Sequence, residues 1–365
     1  MDAPNSNYLD MVQTLLGDPL HAARVAARGG ARVVGYIGND VPVALIAAAD
    51  ALPVRLRGDS RGSTARADQF LESAHAPEMR GIVEQWLAGE LDFIDAVVFP
   101  RTDDSAQRVY YYLCELQRRQ LCGGPRPLLY DVADIGRPSS AAYTRESTRR
   151  LARELGTRNE QLVAAVQRVS QREIVLDELR AHRAATQPLA GSRGFRSERA
   201  SGSDWREEFD AATRHWLAET PGLSEPRRIL LAGDAPPDES LHRAVENAGG
   251  TVVLELTESA PGEVSPQPEI IDAIADHFHA RRNPVREMRA NGEWVASRAR
   301  HARADAVLFW LIEEDESLPW EISRQMRSLE EARIPALLLS RQPWRAPERS
   351  LDQVREFVAT VQVKS

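Results

Sequence analysis

The chain has 365 residues, of which 42% are hydrophobic and 27% charged, with a formal net charge of −8. At roughly 100–200 residues per domain the length predicts two domains or three, and the negative balance argues against nucleic acid or an anionic membrane as the main partner. No apolar run approaches the roughly 18 residues that cross a bilayer, and the polar start Met1–Leu9 is no secretory signal, so a cytoplasmic location is expected.

Residues 1–30 read as an N-terminal helical arm. Tyr8, Met11, Val12, Leu15 and Leu16 recur at helical spacing, and Gly29 and Gly30 stop a second short helix. A first α/β domain is predicted over 31–137. Its first strand is Arg32–Gly38, followed by an Ala/Val/Leu helix over Val41–Ala51 and a strand over Leu52–Leu56. This β-α-β unit implies a parallel sheet. A polar loop follows at 58–67, then a helix over Pro77–Gly89. The apolar run Ala96–Phe99 reads as a buried strand that Pro100 ends. A helix is predicted from Ser105 to Gln120, and a strand over Leu128–Val132. Gly35 and Gly38 read as turn and packing glycines, because a lone GxxG is no dinucleotide fingerprint.

Residues 138–225 form a helical insert in this reading, Arg- and Glu-rich and free of strand signals. Helices are predicted over Ala141–Gly156, Asn159–Ala184 and Trp205–Leu217. The Gly/Ser/Arg stretch Gln187–Ser203 reads as loop or local disorder. A second α/β domain is predicted over 226–365. Strands are expected at Arg228–Gly233, Thr251–Leu256, Ala306–Leu311 and Pro335–Leu339. Helices are expected at Asp238–Asn247, Glu269–Arg281, Val285–Ala302, Trp320–Ala332 and Leu351–Val361, with a Pro-containing loop at Glu258–Gln267. The fold class is therefore α/β: two doubly wound parallel-sheet domains, a helical insert and the N-terminal arm.

Ligands of open α/β sheets bind at the carboxyl ends of the strands. There each half places an acidic loop, Thr102–Asp104 in the first and Glu313–Glu316 in the second, and the two can share a cleft if the halves face each other. Asp103, Asp104 and Asp315 are candidate catalytic acids, or oxygen ligands for Mg²⁺; the plainer reading is solvated acids, some of them capping the next helix. Burying the four acids Glu313–Glu316 ionised together is unfavourable, so that run is exposed or has raised pKa values. The chain has two cysteines, Cys114 and Cys122, outside any CxxC. They exclude a disulfide framework and any site needing three or four thiolates from one chain. Cys114 reads as a small apolar residue on its helix. No GxSxG, HExxH, Walker A or EF-hand pattern is present.

Four stretches in order resemble the 2-hydroxyacyl-CoA dehydratase family, which includes the benzoyl-CoA reductase subunits. They are Gly35–Leu56, Val98–Asp104, Arg228–Gly233 with Asn247–Val253, and Ala304–Val307 through Trp320 and Glu321 to Leu339. Together the resemblance spans Arg32 to Val361. It implies two α/β domains with a [4Fe–4S] cluster between them, held by cysteines, beside which one-electron chemistry acts on a CoA thioester. The cysteine positions it implies fall on Ala76, Asp103 and Asp315. Alanine and carboxylates are poor ligands for such a cluster, which wants soft thiolates, so no cluster is expected in this chain.

The expected function is a subunit of a 2-hydroxyacyl-CoA dehydratase or benzoyl-CoA reductase-type complex. It would shape an acyl-CoA cleft while a homologous partner subunit carries the [4Fe–4S] cluster, and would not be catalytic alone. Arg55, Arg57 and Arg101 are candidates to meet CoA phosphates, and His75, beside Ala76, is a candidate acid or base. His277 and His279 lie two apart on a helix and make a poor metal pair. Two alternatives stand: an acyl-CoA or small-ligand binding protein of regulatory or scaffold type, and a cluster-independent enzyme using Asp103, Asp104 and Asp315, with or without Mg²⁺.

Overall fold

A computed structural model of the chain describes residues 3–133, 135, 137–258, 269–281 and 284–363. It contains two four-stranded, all-parallel sheets. The first has the order β2-β1-β3-β4, from β1 (Arg32–Tyr36), β2 (Ala51–Arg55), β3 (Ala96–Pro100) and β4 (Arg126–Tyr130). The second has the equivalent order β6-β5-β7-β8, from β5 (Arg227–Gly233), β6 (Gly250–Leu256), β7 (Ala306–Ile312) and β8 (Ala336–Gln342). In each sheet the strand order reverses beside its first strand, which opens a crevice at the carboxyl ends of its central strands. The central strands β3 and β7 are buried along their whole length, the pattern that helices on both faces of a sheet impose.

The arm forms α1 (Ala3–Gly17) and α2 (His21–Arg28). Around the first sheet lie α3 (Val43–Ala47), α4 (Pro77–Leu87) and α5 (Asp104–Arg118). Between the sheets the chain runs through α6 (Pro138–Leu155), α7 (Asn159–Ala184), α8 (Gly191–Ser201) and α9 (Glu207–Glu219). The second sheet carries α10 (Ser240–Asn247), α11 (Ile270–Ala280), α12 (Pro284–Ala290), α13 (Trp294–His301), α14 (Leu318–Glu331) and α15 (Glu348–Thr360).

Three elements differ from the sequence reading. The helix expected over Val41–Ala51 ends at Ala47, because Asp50 turns to φ 52° and Ala51 already pairs with Arg32. The stretch Gln187–Ser203, read as loop, contains the helix α8. Its glycines are sites of close approach: a Cβ on Gly191 would come within 2.9 Å of the Val252 nitrogen, and one on Gly194 within 2.4 Å of Arg183 Cδ. The helix expected over Val285–Ala302 is two, α12 and α13, broken at Asn291 and Gly292. The fully buried Gln325 accepts from the Val295 N–H (3.1 Å) and donates to the Met288 and Asn291 carbonyls (2.9 and 2.8 Å). The broken ends are thereby satisfied. Residues 259–267 of the loop expected at Glu258–Gln267 lie outside the described residues.

A helix from the second half of the chain also packs on the first sheet. α11 lies in the chain between β6 and β7, yet Ile274 is buried in the core of the first sheet, with Ile270, Ile271 and Phe278 packed against it. Arg145 and Arg149 of α6 pair with its Asp276 and Asp272 at 2.7 and 2.6 Å.

Candidate functional site between the two sheets

The carboxyl ends of β1, β2 and β6 converge. Beyond β1 stands Asn39, at the end of β2 stands Arg55, and beyond β6 stands Glu258. Arg55 binds both Glu258 oxygens at 2.8 Å and donates to Asn39 Oδ1 at 2.8 Å, while Asn39 donates to Glu258 at 3.0 Å. Arg57 reaches Glu258 at 3.6 Å and Glu78 at 3.9 Å. Glu78 comes this close because Gly58 and Gly81 let α4 lie against the chain after β2: a Cβ on Gly58 would sit 2.3 Å from the Glu78 carbonyl oxygen. Burial opposes ionisation of Glu258, but Arg55 and Arg57 more than offset it and hold the carboxyl at about 2.

Behind this bridge lies a cavity of about 690 Å³, walled by α7, α8, β6 and α13. That volume suits a small ligand or part of a larger one. Its lining includes Arg55, Arg57, Arg172, Arg180, Arg183, Arg199, Arg298 and Arg303, against the acids Glu173, Asp177, Glu198, Glu255 and Glu258. Arginines thus outnumber carboxylates in a chain that is negative overall.

Most of these cations are engaged. Arg172 is 2% exposed and binds Asp210 (2.8 Å) and the carbonyls of Ser201 and Asp204, with its guanidinium 4.5 Å over the Trp205 ring. Arg183 and His242 both bind Glu255. Arg199 differs. Among the described residues it has no ion-pair or hydrogen-bond partner and only approaches the Phe195 ring, at 5.9 Å. Burial, reinforced by Arg57, brings its guanidinium down to about 9.

The sequence-predicted candidates lie outside this lining, Arg55 and Arg57 excepted. Asp103 caps α5, accepting from the Ala106 N–H at 2.9 Å. It is open to solvent, but the protein packed around it raises its carboxyl, with Glu78 adding to the effect. Asp104 is exposed at the start of the same helix. Ala76 precedes Pro77 at the start of α4, and its N–H donates to Ser105 Oγ at 3.0 Å. Asp315 accepts from the N–H groups of Ser317 (2.6 Å) and Leu318 (3.0 Å) where α14 begins. Beside it, burial and then Asp315 push Asp234 well above the usual carboxylate range. Glu314 is likewise raised, by burial first. Both acidic loops feel the charges of α4: Glu78 raises the Asp103 carboxyl, and Arg80 opposes the rise at Glu314.

His75 is 1% exposed, with its Nδ1 3.2 Å from the Glu72 carbonyl and its ring edge-on to Tyr112; burial lowers its pKa. Arg101 pairs with Asp131 at 2.8 Å and is half exposed. His279 Nδ1 lies 3.0 Å from the Ala133 carbonyl, whereas His277 Nε2 has no partner, so the two rings serve different surroundings. Cys114 and Cys122 are both partly buried, and burial raises both thiols.

This donor set does not fit an iron–sulfur cluster. The three positions carry a methyl group and two carboxylates already bound to helix N–H groups, where the cluster needs thiolates. Among the described residues no group of three or more His, Cys, Asp or Glu side chains is gathered to hold a metal ion.

The cavity residues Glu173, Arg172, Arg183 and Arg199 were missed by the sequence reading, which took the Arg/Glu-rich insert as helices and placed no site residue in it. A signal was present. Along α7 the buried positions are Leu162, Ala165, Val166, Arg172, Glu173, Val175, Leu176, Leu179 and Arg183. Three charged residues therefore interrupt the apolar stripe itself, where burial without a purpose is costly.

Among the described residues no helix is long and apolar enough to cross a membrane. No individual curated protein matches the chain. Residues 39–357 match a family model, a span that takes in every strand except β1, the helices between the sheets and the Arg55–Glu258 bridge. The chain belongs to the family of the 2-hydroxyglutaryl-CoA dehydratase D-component.

Proposed function

We propose that the chain is a cluster-free subunit of a 2-hydroxyacyl-CoA dehydratase or benzoyl-CoA reductase-type complex, shaping an acyl-CoA cleft while a homologous partner subunit holds the [4Fe–4S] cluster. The observation that carries this reading is the fate of the three positions at the starts of α4, α5 and α14. They bear Ala76, Asp103 and Asp315, and the two acids cap helices. The sheets and the crevice between them are kept, with an arginine-rich cavity suited to an anionic acyl-CoA. Cluster chemistry, a one-electron reduction of the thioester, then belongs to the partner. This chain's own residues bind and orient.

The test is anaerobic purification from the native cells, with iron and sulfide assayed on what elutes. The reading expects an iron-rich homologous partner bound to the chain. It fails if the chain alone turns over a 2-hydroxyacyl-CoA or an aromatic acyl-CoA. A second reading, an acyl-CoA or small-ligand binding protein of regulatory or scaffold type without a redox partner, is favoured by one observation: arginines outnumber carboxylates in the cavity lining. Elution of the chain alone and iron-free, with acyl-CoA still bound, selects it.

A further inference from the structure

Glu173 is 7% exposed and lines the cavity, yet its Oε2 has no hydrogen-bond partner. The nearest cation, Arg180 of α7, stands 3.9 Å away. Arg180 is already held by Glu198 of α8 (3.0 and 2.6 Å) and by Asp177 (2.7 Å). Arg172 is adjacent in sequence but spends its guanidinium on Asp210 and two carbonyls. Asp177 and Glu198, like burial, raise its carboxyl, and Tyr36 of β1 also acts on it; Arg180, Arg172 and Arg281, the residue after α11, oppose the rise. Burial outweighs them and raises the carboxyl to about 7. A buried polar atom left unsatisfied in a native fold calls for an explanation.

The same cavity holds the opposite defect in Arg199, a cation that makes no ion pair or hydrogen bond among the described residues, with Glu78 and Glu258 acting on it only at longer range. The two defects are complementary. An anion in the cavity supplies the charge Arg199 lacks, and its negative field favours the protonated form of Glu173.

We infer that the cavity binds an anion of the phosphate or diphosphate class on Arg57 and Arg199, and that binding places a proton on Glu173. The proton comes from solvent, an O–H bond forms on the Glu173 carboxylate, and no electrons are transferred. The inference rests on the cavity being the ligand site of the proposed function and deepens that reading.

Titration calorimetry of the full chain tests it, with inorganic pyrophosphate and, separately, coenzyme A as probes. Each is run at pH 7 in two buffers of different ionisation enthalpy. The expected heats differ between buffers by the equivalent of up to about half a proton taken up per anion, since a group titrating near 7 is half protonated there. Glu173→Gln keeps binding and loses the buffer dependence. Arg199→Gln weakens binding about tenfold or more, the share of one charge-assisted contact. Melting curves of both variants check that they fold. Uptake with coenzyme A but not pyrophosphate supports the coupling and identifies the coenzyme as the source of the anion. Three outcomes overturn the inference: no binding of either probe, binding with buffer-independent heat, or uptake unchanged in Glu173→Gln. An iron-bearing partner on a chain whose cavity binds neither probe sinks this inference alone; proton-coupled binding by a chain without a partner sinks the subunit reading alone.

Discussion

The starts of α5 and α14 treat their charged residues in the opposite way to the cavity between the sheets. At the helix starts Asp103 and Asp315 find N–H donors within a few residues of themselves. Their roles are complete without any ligand. In the cavity Glu173 and Arg199 stay short of partners although the chain has acids and arginines in quantity. A charge satisfied within one turn of the chain is accounted for by the helix it caps. A charge kept buried and unsatisfied lowers stability, and such groups concentrate where a protein recognises something.

Substitutions should separate the two regions by size and by pH. The largest effect is expected for Arg172→Ala, which leaves Asp210 and two carbonyls short of a buried donor; urea unfolding should show a loss of about 4 kcal/mol, the scale of a broken buried ion pair. Next come two carboxylates with opposite signs. Glu258 titrates at about 2 when folded, below its usual value, so its contribution is present above roughly pH 4.5 and fades as pH falls towards 2. Glu258→Gln should therefore destabilise by about 3 kcal/mol at pH 7 and by little at pH 2, where the native carboxyl is itself losing its charge. Glu173 titrates at about 7, above its usual value, so its penalty is absent below about pH 4.5, grows up to pH 7 and is constant beyond. Glu173→Gln should raise the melting temperature at pH 8 by the equivalent of about 2 kcal/mol, and leave it nearly unchanged at pH 4. An unchanged melting temperature at both values would remove Glu173 from the account.

Smaller effects are expected at the helix starts. Asp103→Ala and Asp315→Ala should each lower stability by about 1 kcal/mol, the worth of one cap. Asp104→Asn, at an exposed first-turn position, should change it by less than about 0.5 kcal/mol. A loss well above a cap's worth at Asp103 or Asp315 would mean that these acids do more than start their helices.

The sheets were legible because buried parallel strands are written as continuous apolar runs, as in Ala96–Phe99 and Ala306–Leu311. The parallel direction of the strands follows from their alternation with helices. α8 was not legible, because Gly191, Ser192 and Gly194 look like loop residues until β6 and Arg183 are seen pressing against them. The break between α12 and α13 depends on Gln325, which lies about thirty residues further along the chain and shows no sign of that role in the local sequence. Ala76, Asp103 and Asp315 were found as positions through the family pattern. That some of the loop acids cap the next helix was read from the sequence as the plainer alternative, since Asp before a helix is a common cap, and Asp103 does so at α5. The Arg55–Glu258 bridge was beyond it: two residues 203 apart meet only once both sheets exist.

The measurement that tests the account most directly is anaerobic reconstitution of the purified chain with iron and sulfide, followed by desalting and assay of what stays bound. The account predicts no stoichiometric iron or sulfide, because Ala76, Asp103 and Asp315 present no thiolate. Retention of a full cluster per chain would contradict it, and would return the site of chemistry to the starts of α4, α5 and α14.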